Sequence, residues 1–264
     1  MMEVSPVNWR VDGITISGEL RLPADGAAHP AVCICHGIPS GKPPDLGDAG
    51  YPGLAERFCL AGFVTLIFNF RGTGPSGGDF DMMGWTRDLE GAVEYLYSCH
   101  QVDRSLIYLM GFSGGAAASV YVAAHDARVA RLVLCACPAE FHRIVVEKRA
   151  DFSIEHFRQI GLIRDKDFPP SLDEWTNSFR EVTPVNWIDR IAPRPLLMIQ
   201  GKDDDLIDEE QAWRLYDKAG EPKEIAIVPG AGHKLRLSDR AMDIALSWLR
   251  RPPPSSGQES REGK

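Results

Sequence analysis

A serine, a carboxylate and a histidine that together could cleave an acyl bond each follow an apolar run in this chain. Gly111-Phe112-Ser113-Gly114-Gly115 closes the run 106–110 and opens an alanine-rich stretch, 116–124. A G-x-S-x-G segment between a strand and a helix lets the backbone turn sharply without a Cβ clash. It projects the hydroxyl from the strand end and aims the first helical amides at the same point. Ser113 is therefore the candidate nucleophile. With 25 glycines in 264 residues, chance supplies such a pentapeptide in roughly one chain in seven, so the weight rests on what surrounds it.

Acyl transfer by a serine needs a base for the hydroxyl proton, an acid that orients the base, and amides that receive the oxyanion. His233 is the expected base, carried by Pro229-Gly230-Ala231-Gly232-His233 just after the run 225–228. Histidine titrates near neutrality, and the glycines leave the loop free to present it. The acid lies in Gly201-Lys202-Asp203-Asp204-Asp205-Leu206-Ile207-Asp208, after the run 196–199. Only one of these aspartates can face the histidine. Asp204 is preferred, with Asp203 and Asp205 read as solvated carboxylates or caps of a helix from 209. The oxyanion amides are expected from Gly114, directly after the serine, and from Ile38, in the turn His36-Gly37-Ile38-Pro39. His36, ahead of that tight turn, reads as loop scaffolding, and His29, His100, His125, His142 and His156 as solvated or packing residues.

These loops need a frame, and apolar runs supply it. Residues 7–23 alternate apolar and polar around Asp12-Gly13, a strong hairpin signal that predicts two antiparallel edge strands. Runs at 31–35, 64–68, 106–110, 132–137, 196–199 and 225–228 are continuously apolar, as expected of strands covered on both faces. Helical spacing appears between them at 54–61, 85–98, 116–125, 209–219 and 239–250, the last with Ala241, Ile244, Ala245, Trp248 and Leu249 on one face. Such alternation predicts an α/β fold, a mostly parallel doubly wound sheet with helices on both faces. In open sheets of this kind ligands bind outside the carboxyl ends of the strands.

The expected organisation is a single domain over 1–251. An insertion at about 138–194 is too long for an ordinary loop and carries Phe141, Phe152, Phe157, Phe168, Trp175, Phe179 and Trp187. It reads as a small helical cap over the site, or else as a structural insertion that packs its aromatics inward. The Pro-rich tail 252–264 reads as disordered. A composition of 44% hydrophobic and 25% charged residues is ordinary for a globular protein. The net charge of -8 gives no basic field for nucleic acid. No charged-then-apolar leader and no run of about 18 apolar residues is present, so a cytoplasmic protein without membrane attachment is expected. Cys33 and Cys35, like Cys135 and Cys137, sit two apart in apolar runs, so each pair is expected to share a strand face as buried free thiols. No metal or organic cofactor is implied. The expected partner is a small-molecule substrate, with homodimerisation open.

The chain resembles the α/β-hydrolases, and within them the small esterase and serine aminopeptidase-like branch. His36-Gly37-Ile38 is similar to that family's oxyanion turn, Asn69-Phe70-Arg71-Gly72-Thr73-Gly74-Pro75-Ser76-Gly77 to its D-x-R-G-x-G-x-S loop, and 111–115 to its elbow. Gly201-Lys202-Asp203-Asp204 and Gly232-His233 are similar to its acid and base loops, and the resemblance covers about 7–250. It implies an acid three positions after the glycine, which falls on Asp204. Asn69 stands where the family usually has aspartate. Arg71 is expected to hold loops together rather than bind substrate, and Phe112 to be a core residue.

The expectation is a serine hydrolase acting on a carboxylic ester of a small, apolar acyl or aryl group. The alternatives are cleavage of an amide, peptide or thioester, or acyl transfer to another acceptor, with the same three residues. A non-catalytic ligand binder on the same fold is the third reading.

Overall fold

In a computed structural model, residues 2–43, 47–141 and 150–252 are described; His142 and the tail residues 253–264 lie outside them, as does the side chain of Phe152. Strands β1 (Met2–Val11) and β2 (Ile14–Pro23) form the predicted hairpin, with Asp12 and Gly13 at positive φ (52° and 76°) in its two-residue turn. The sheet continues through β3 (His29–Cys35), β4 (Val64–Asn69), β5 (Val102–Phe112), β6 (Val129–Cys135), β7 (Leu196–Gly201) and β8 (Lys223–Val228). Its order is β1-β2-β4-β3-β5-β6-β7-β8, parallel from β4 to β8. β2 pairs antiparallel with β4, so only β1 of the hairpin is an edge. From β3 the order runs one way to β4 and the other way to β5. That reversal opens a crevice above the ends of β3 and β5.

Helices α1 (Gly50–Leu60), α2 (Met82–Ser98), α3 (Gly114–His125), α4 (Ala150–Gln159), α5 (Leu172–Glu181), α6 (Glu209–Lys218) and α7 (Asp239–Leu249) cover the sheet. Central strands alternate between two apolar cores, which is why their runs are continuous. Cys33 and Leu109 join the core under α2 and α3, while Val32 and Met110 join the core under α1 and α7. On α7 the buried face is Ala241, Met242, Ala245, Trp248 and Leu249; Ile244, expected there, is only partly buried. Cys33 and Cys35 share a face as expected, but Cys135 and Cys137 lie in opposite cores. The strand ends at Cys135, and Ala136 takes φ 49°, so the alternation of side chains breaks between them. Every cysteine is a free thiol. Among the described residues no helix is long and apolar enough to cross a membrane.

Between β6 and β7 the described part of the insertion holds α4, α5 and two 3-10 turns, Pro184–Asn186 and Ile188–Arg190. Its aromatics largely pack inward: Phe141, Phe157, Trp175 and Phe179 are buried in the core under α2. Phe157 lies edge-on to Phe80 at 4.8 Å, and the Trp175 indole donates to the Phe80 carbonyl at 2.9 Å. Phe168 and Trp187 remain partly buried.

Arg71 braces rather than reaches for substrate. Its guanidinium contacts the Asp88 carboxylate on α2 at 2.7 Å and Asp12 of the hairpin turn at 3.0 Å, and its backbone amide also donates to Asp88 at 2.8 Å. The Asp88 side chain is fully buried and that of Arg71 is 5% exposed. Removing one partner of such a pair strands the other charge without water. Arg71→Met is therefore expected to destabilise the fold by about 3 to 5 kcal/mol, read as a shift of the urea midpoint at constant m-value. An unchanged midpoint would show that the pair contributes nothing net.

Candidate active site

Ser113 sits between β5 and α3 at φ 50°, ψ -119°, a conformation sparsely populated by non-glycine residues. Neighbouring backbone holds it there. Its amide donates to the Cys135 carbonyl at 2.9 Å, and its own carbonyl accepts from Ala116 and Ala117 at 2.9 and 3.1 Å. The elbow is pressed against the end of β3: a Cβ on Gly115 would lie 2.2 Å from the His36 carbonyl oxygen. Only glycine fits that contact.

The same approach brings the His36-Gly37-Ile38 turn over the serine. A Cβ on Gly37 would stand 3.0 Å from Ser113 Cβ, and one on Gly114 would stand 3.1 Å from Ile38 Cγ1 and 3.4 Å from Phe141 Cζ. Neither the Ile38 nor the Gly114 amide donates to another described residue. Among the described residues, both predicted oxyanion donors are thus without an acceptor.

The acid and base loops meet beyond β7 and β8. The Lys202 amide donates to Val228 at 2.9 Å and the Asp203 amide to Ala231 at 3.0 Å, while a Cβ on Gly201 would lie 2.3 Å from the Ala231 oxygen. On this frame His233 Nδ1 faces both Asp204 oxygens, at 2.9 and 3.1 Å. The Asp204 side chain is fully buried and that of His233 is 19% exposed. Burial pushes the Asp204 carboxyl up, but the hydrogen bonds from His233 and from the Ile207 and Leu206 amides outweigh it and hold the group below its ordinary 3.8. An ionised carboxylate fixes the proton on Nδ1 and leaves Nε2 as the free base. The hydrogen bonds of the described residues do not include one between Ser113 Oγ and His233, a contact that often tightens only with substrate bound. Asp203 and Asp205 are exposed as expected, but the cap of α6 is Asp208, which accepts from the Gln211 amide at 3.1 Å.

Residues that sequence reasoning missed hold these loops. Gln200, the polar residue late in an otherwise apolar strand, donates to Asp204. Arg236, just past the base, pairs with the buried Asp48 ahead of α1, and its guanidinium lies 5.4 Å from the Tyr51 ring centre. The Tyr51 hydroxyl in turn accepts from the Gly37 amide at 3.4 Å. The loop that carries His233 and the His36-Gly37-Ile38 turn are thus tied together. No local signal in the chain marks this pairing of residues 188 apart. A cavity of about 350 Å³ is lined by His36 and Tyr51 with Ile34, Ile67, Phe68 and Pro75. Another, of about 270 Å³, lies between α4 and the start of α5. Neither is lined by Ser113, and chemistry rather than concavity marks the site.

His36 scaffolds the turn, as its position suggested. Nδ1 meets the Gly37 carbonyl at 2.7 Å, and Nε2 accepts the Phe70 amide at 3.3 Å. Because a carbonyl can only accept and an amide only donate, the ring is neutral with its proton on Nδ1. Burial pushes its pKa down from 6.5 to about 4. The unfolded chain then binds a proton that the folded chain refuses, so stability is full above pH 6.5 and falls as pH drops towards 4. At about 1.4 kcal/mol per unit, this amounts to about 3 kcal/mol. His36→Asn is expected to lower stability at pH 7 yet flatten the unfolding free energy between pH 6.5 and 4. A curve as steep as that of the wild type would assign the acid sensitivity elsewhere.

Comparison with known proteins agrees with this architecture. Polyketide transferase ATR5 of Stachybotrys chlorohalonatus is 27% identical over 265 residues, spanning 84% of this chain and 87% of its own. The crystal structure of the α/β hydrolase GrgF from Penicillium sp. sh18 superposes with a TM-score of 0.73 at 23% identity, covering 95% of this chain and 99% of that one. The esterase domain of a Rhodothermus marinus protein gives 0.69 at 20% identity, covering 94% and 98%. The α/β-hydrolase fold expected from the motifs is the fold found. The family model matching residues 54–251, from within α1 to beyond α7, is that of the prolyl oligopeptidase family, and the chain belongs to it as a hydrolase of the serine type.

Proposed function

We propose that this hydrolase cleaves a carboxylic ester of a small apolar acyl or aryl group through an acyl-enzyme on Ser113, with His233 as base, Asp204 as its orienting acid and the Ile38 and Gly114 amides as oxyanion donors. The observation that carries the reading is the His233–Asp204 hydrogen bond beyond the strand ends, on the same sheet edge as a serine held at an elbow. Nε2 takes the Ser113 proton as Oγ bonds to the ester carbon, and the carbonyl oxygen becomes an anion facing the two amides. The intermediate then expels the alcohol, which leaves with the proton from His233. Water repeats the sequence on the acyl-enzyme, giving its proton to His233 and releasing the acid as Oγ recovers one. Each oxyanion donor contributes on the order of 100-fold to 1000-fold in rate.

Ile38 and Phe141 beside Gly114 support an apolar substrate group of modest size. A second reading, transfer of the acyl group to an acceptor other than water, is favoured by the likeness to a protein named as a polyketide transferase. The two share the acyl-enzyme and differ in what attacks it.

Ser113→Ala is expected to lower kcat on short p-nitrophenyl esters by on the order of 10,000-fold or more, with the melting temperature retained, and to abolish fluorophosphonate labelling. Esterase activity of Ser113→Ala equal to the wild type would sink the proposal. Kinetics on matched esters, arylamides and thioesters rank the bond by kcat/KM. A rise in total turnover with added alcohol or amine, accompanied by formation of the transfer product, would favour the second reading.

A further inference from the structure

We infer that Gln200 is a positioning residue for the reaction, acting through Asp204: it orients the carboxylate towards His233 and moderates the negative charge the imidazole meets. The inference rests on the roles proposed above for Asp204 and His233.

Gln200 is fully buried in β7, where its neighbours Leu197, Met198 and Ile199 are apolar. Its Nε2 donates to Asp204 Oδ2 at 3.1 Å and to the Ile207 carbonyl at 2.7 Å, with the Gly201 carbonyl at 3.4 Å. A carboxylate and a carbonyl only accept, so the amide nitrogen must face them, and this fixes the orientation of the side chain. The oxygen is left without a partner: with Trp9 Nε1, Gln200 Oε1 is one of two such buried side-chain atoms among the described residues. A residue selected for packing alone would not strand a buried acceptor where methionine fills the same volume. The amide sets that orphaned acceptor against donors to the Asp204 carboxylate and the Ile207 carbonyl.

The division of donors around Asp204 shows what the amide does. Oδ1 receives the Leu206 and Ile207 amides, both at 2.9 Å, from its own loop. Oδ2, the oxygen nearer His233 Nδ1, receives only Gln200 besides the imidazole among the described residues. The strand thus holds the working oxygen and the loop holds the other one. Among the other charged groups of these loops, Lys202 pairs with Glu209 and Arg236 with Asp48, while Asp203 and Asp205 are exposed. Gln200 is therefore the neutral donor that shares Oδ2 with the base.

The decisive comparison is Q200M, which keeps volume and removes the stranded acceptor, but takes the donor from both Asp204 and the Ile207 carbonyl. A purely structural role predicts a lower melting temperature, an unmoved pH profile and activity falling only with the folded fraction. The positioning role predicts a melting temperature within a few degrees of the wild type and kcat on p-nitrophenyl esters down about tenfold or more with KM little changed. The acidic limb of kcat/KM should move to higher pH, because the carboxylate without its second donor better stabilises a protonated imidazole. The His233 Nδ1 proton should move downfield in the NMR spectrum as its bond to Oδ2 shortens. Q200E, which sets a second carboxyl against Asp204, should lose more activity than Q200M at pH 7. If Q200M keeps kcat, its acidic limb and the Nδ1 resonance, the inference is overturned. Failure of the serine-hydrolase reading would look different, with Ser113→Ala still turning over ester. In that event the Nδ1 resonance, which needs no substrate, still decides whether Gln200 acts on the Asp204–His233 pair.

Discussion

The backbone of Ser113 is the constraint on which the rest of the structure turns. At φ 50° its Cβ crowds the backbone, a conformation that costs about 1 to 3 kcal/mol at a non-glycine residue. It persists because the sheet clamps it from both sides. The Cys135 carbonyl takes the serine amide, and the end of β3 lies so close to Gly115 that no side chain could stand between them. That conformation places Ser113 at the turn from β5 into α3, beside the crevice opened by the reversal of strand order between β3 and β5.

Around this elbow, backbone bonds across the strand ends set the other loops in register. Ser113 bonds to β6, Ala136 just after β6 bonds to Ile199 on β7, and the loop after β7 bonds to Val228 at the end of β8 and to Ala231 beyond it. Ser113, Asp204 and His233 come from positions far apart in the chain, yet the loops that carry them are linked in turn along the same ends of the strands. Buried charge then locks the periphery. Arg71 ties the hairpin turn to α2 through Asp12 and Asp88, and Arg236 ties the base loop to the start of α1 through Asp48. Such pairs contribute little net stability against an apolar alternative but penalise any arrangement that separates them. They act on the precision of the site more than on its persistence.

Much of this was legible beforehand because it rests on local rules. The Asp12-Gly13 turn, the continuous apolar strands and the glycine-flanked serine each follow from backbone sterics or from coverage of both sheet faces, which neighbouring residues already encode. Where reading failed, a distant contact or a local break decided the outcome. Cys135 and Cys137 were expected on one face and lie in opposite cores because Ala136 leaves the strand conformation. The 138–194 insertion read either as a cap or as a segment packing its aromatics inward, and the inward packing of Phe157, Trp175 and Phe179 rests on Phe80, from a different segment of the chain. Asp208 rather than Asp203 or Asp205 caps α6: the helix starts at 209 as expected, and a cap stands directly before the first helical residue, a place neither Asp203 nor Asp205 holds.

The sequence by itself determined the class of fold, the strand-to-helix elbow at Ser113 and the order of serine, acid and base, because periodicity and glycine placement act within a few residues. Only the tertiary structure decided that Gln200 shares the Asp204 carboxylate with His233, and that Arg236 reaches Asp48 from the far end of the chain. Those contacts join loops brought together by strand order, and side-chain geometry at that range is set by packing, which a linear pattern does not carry.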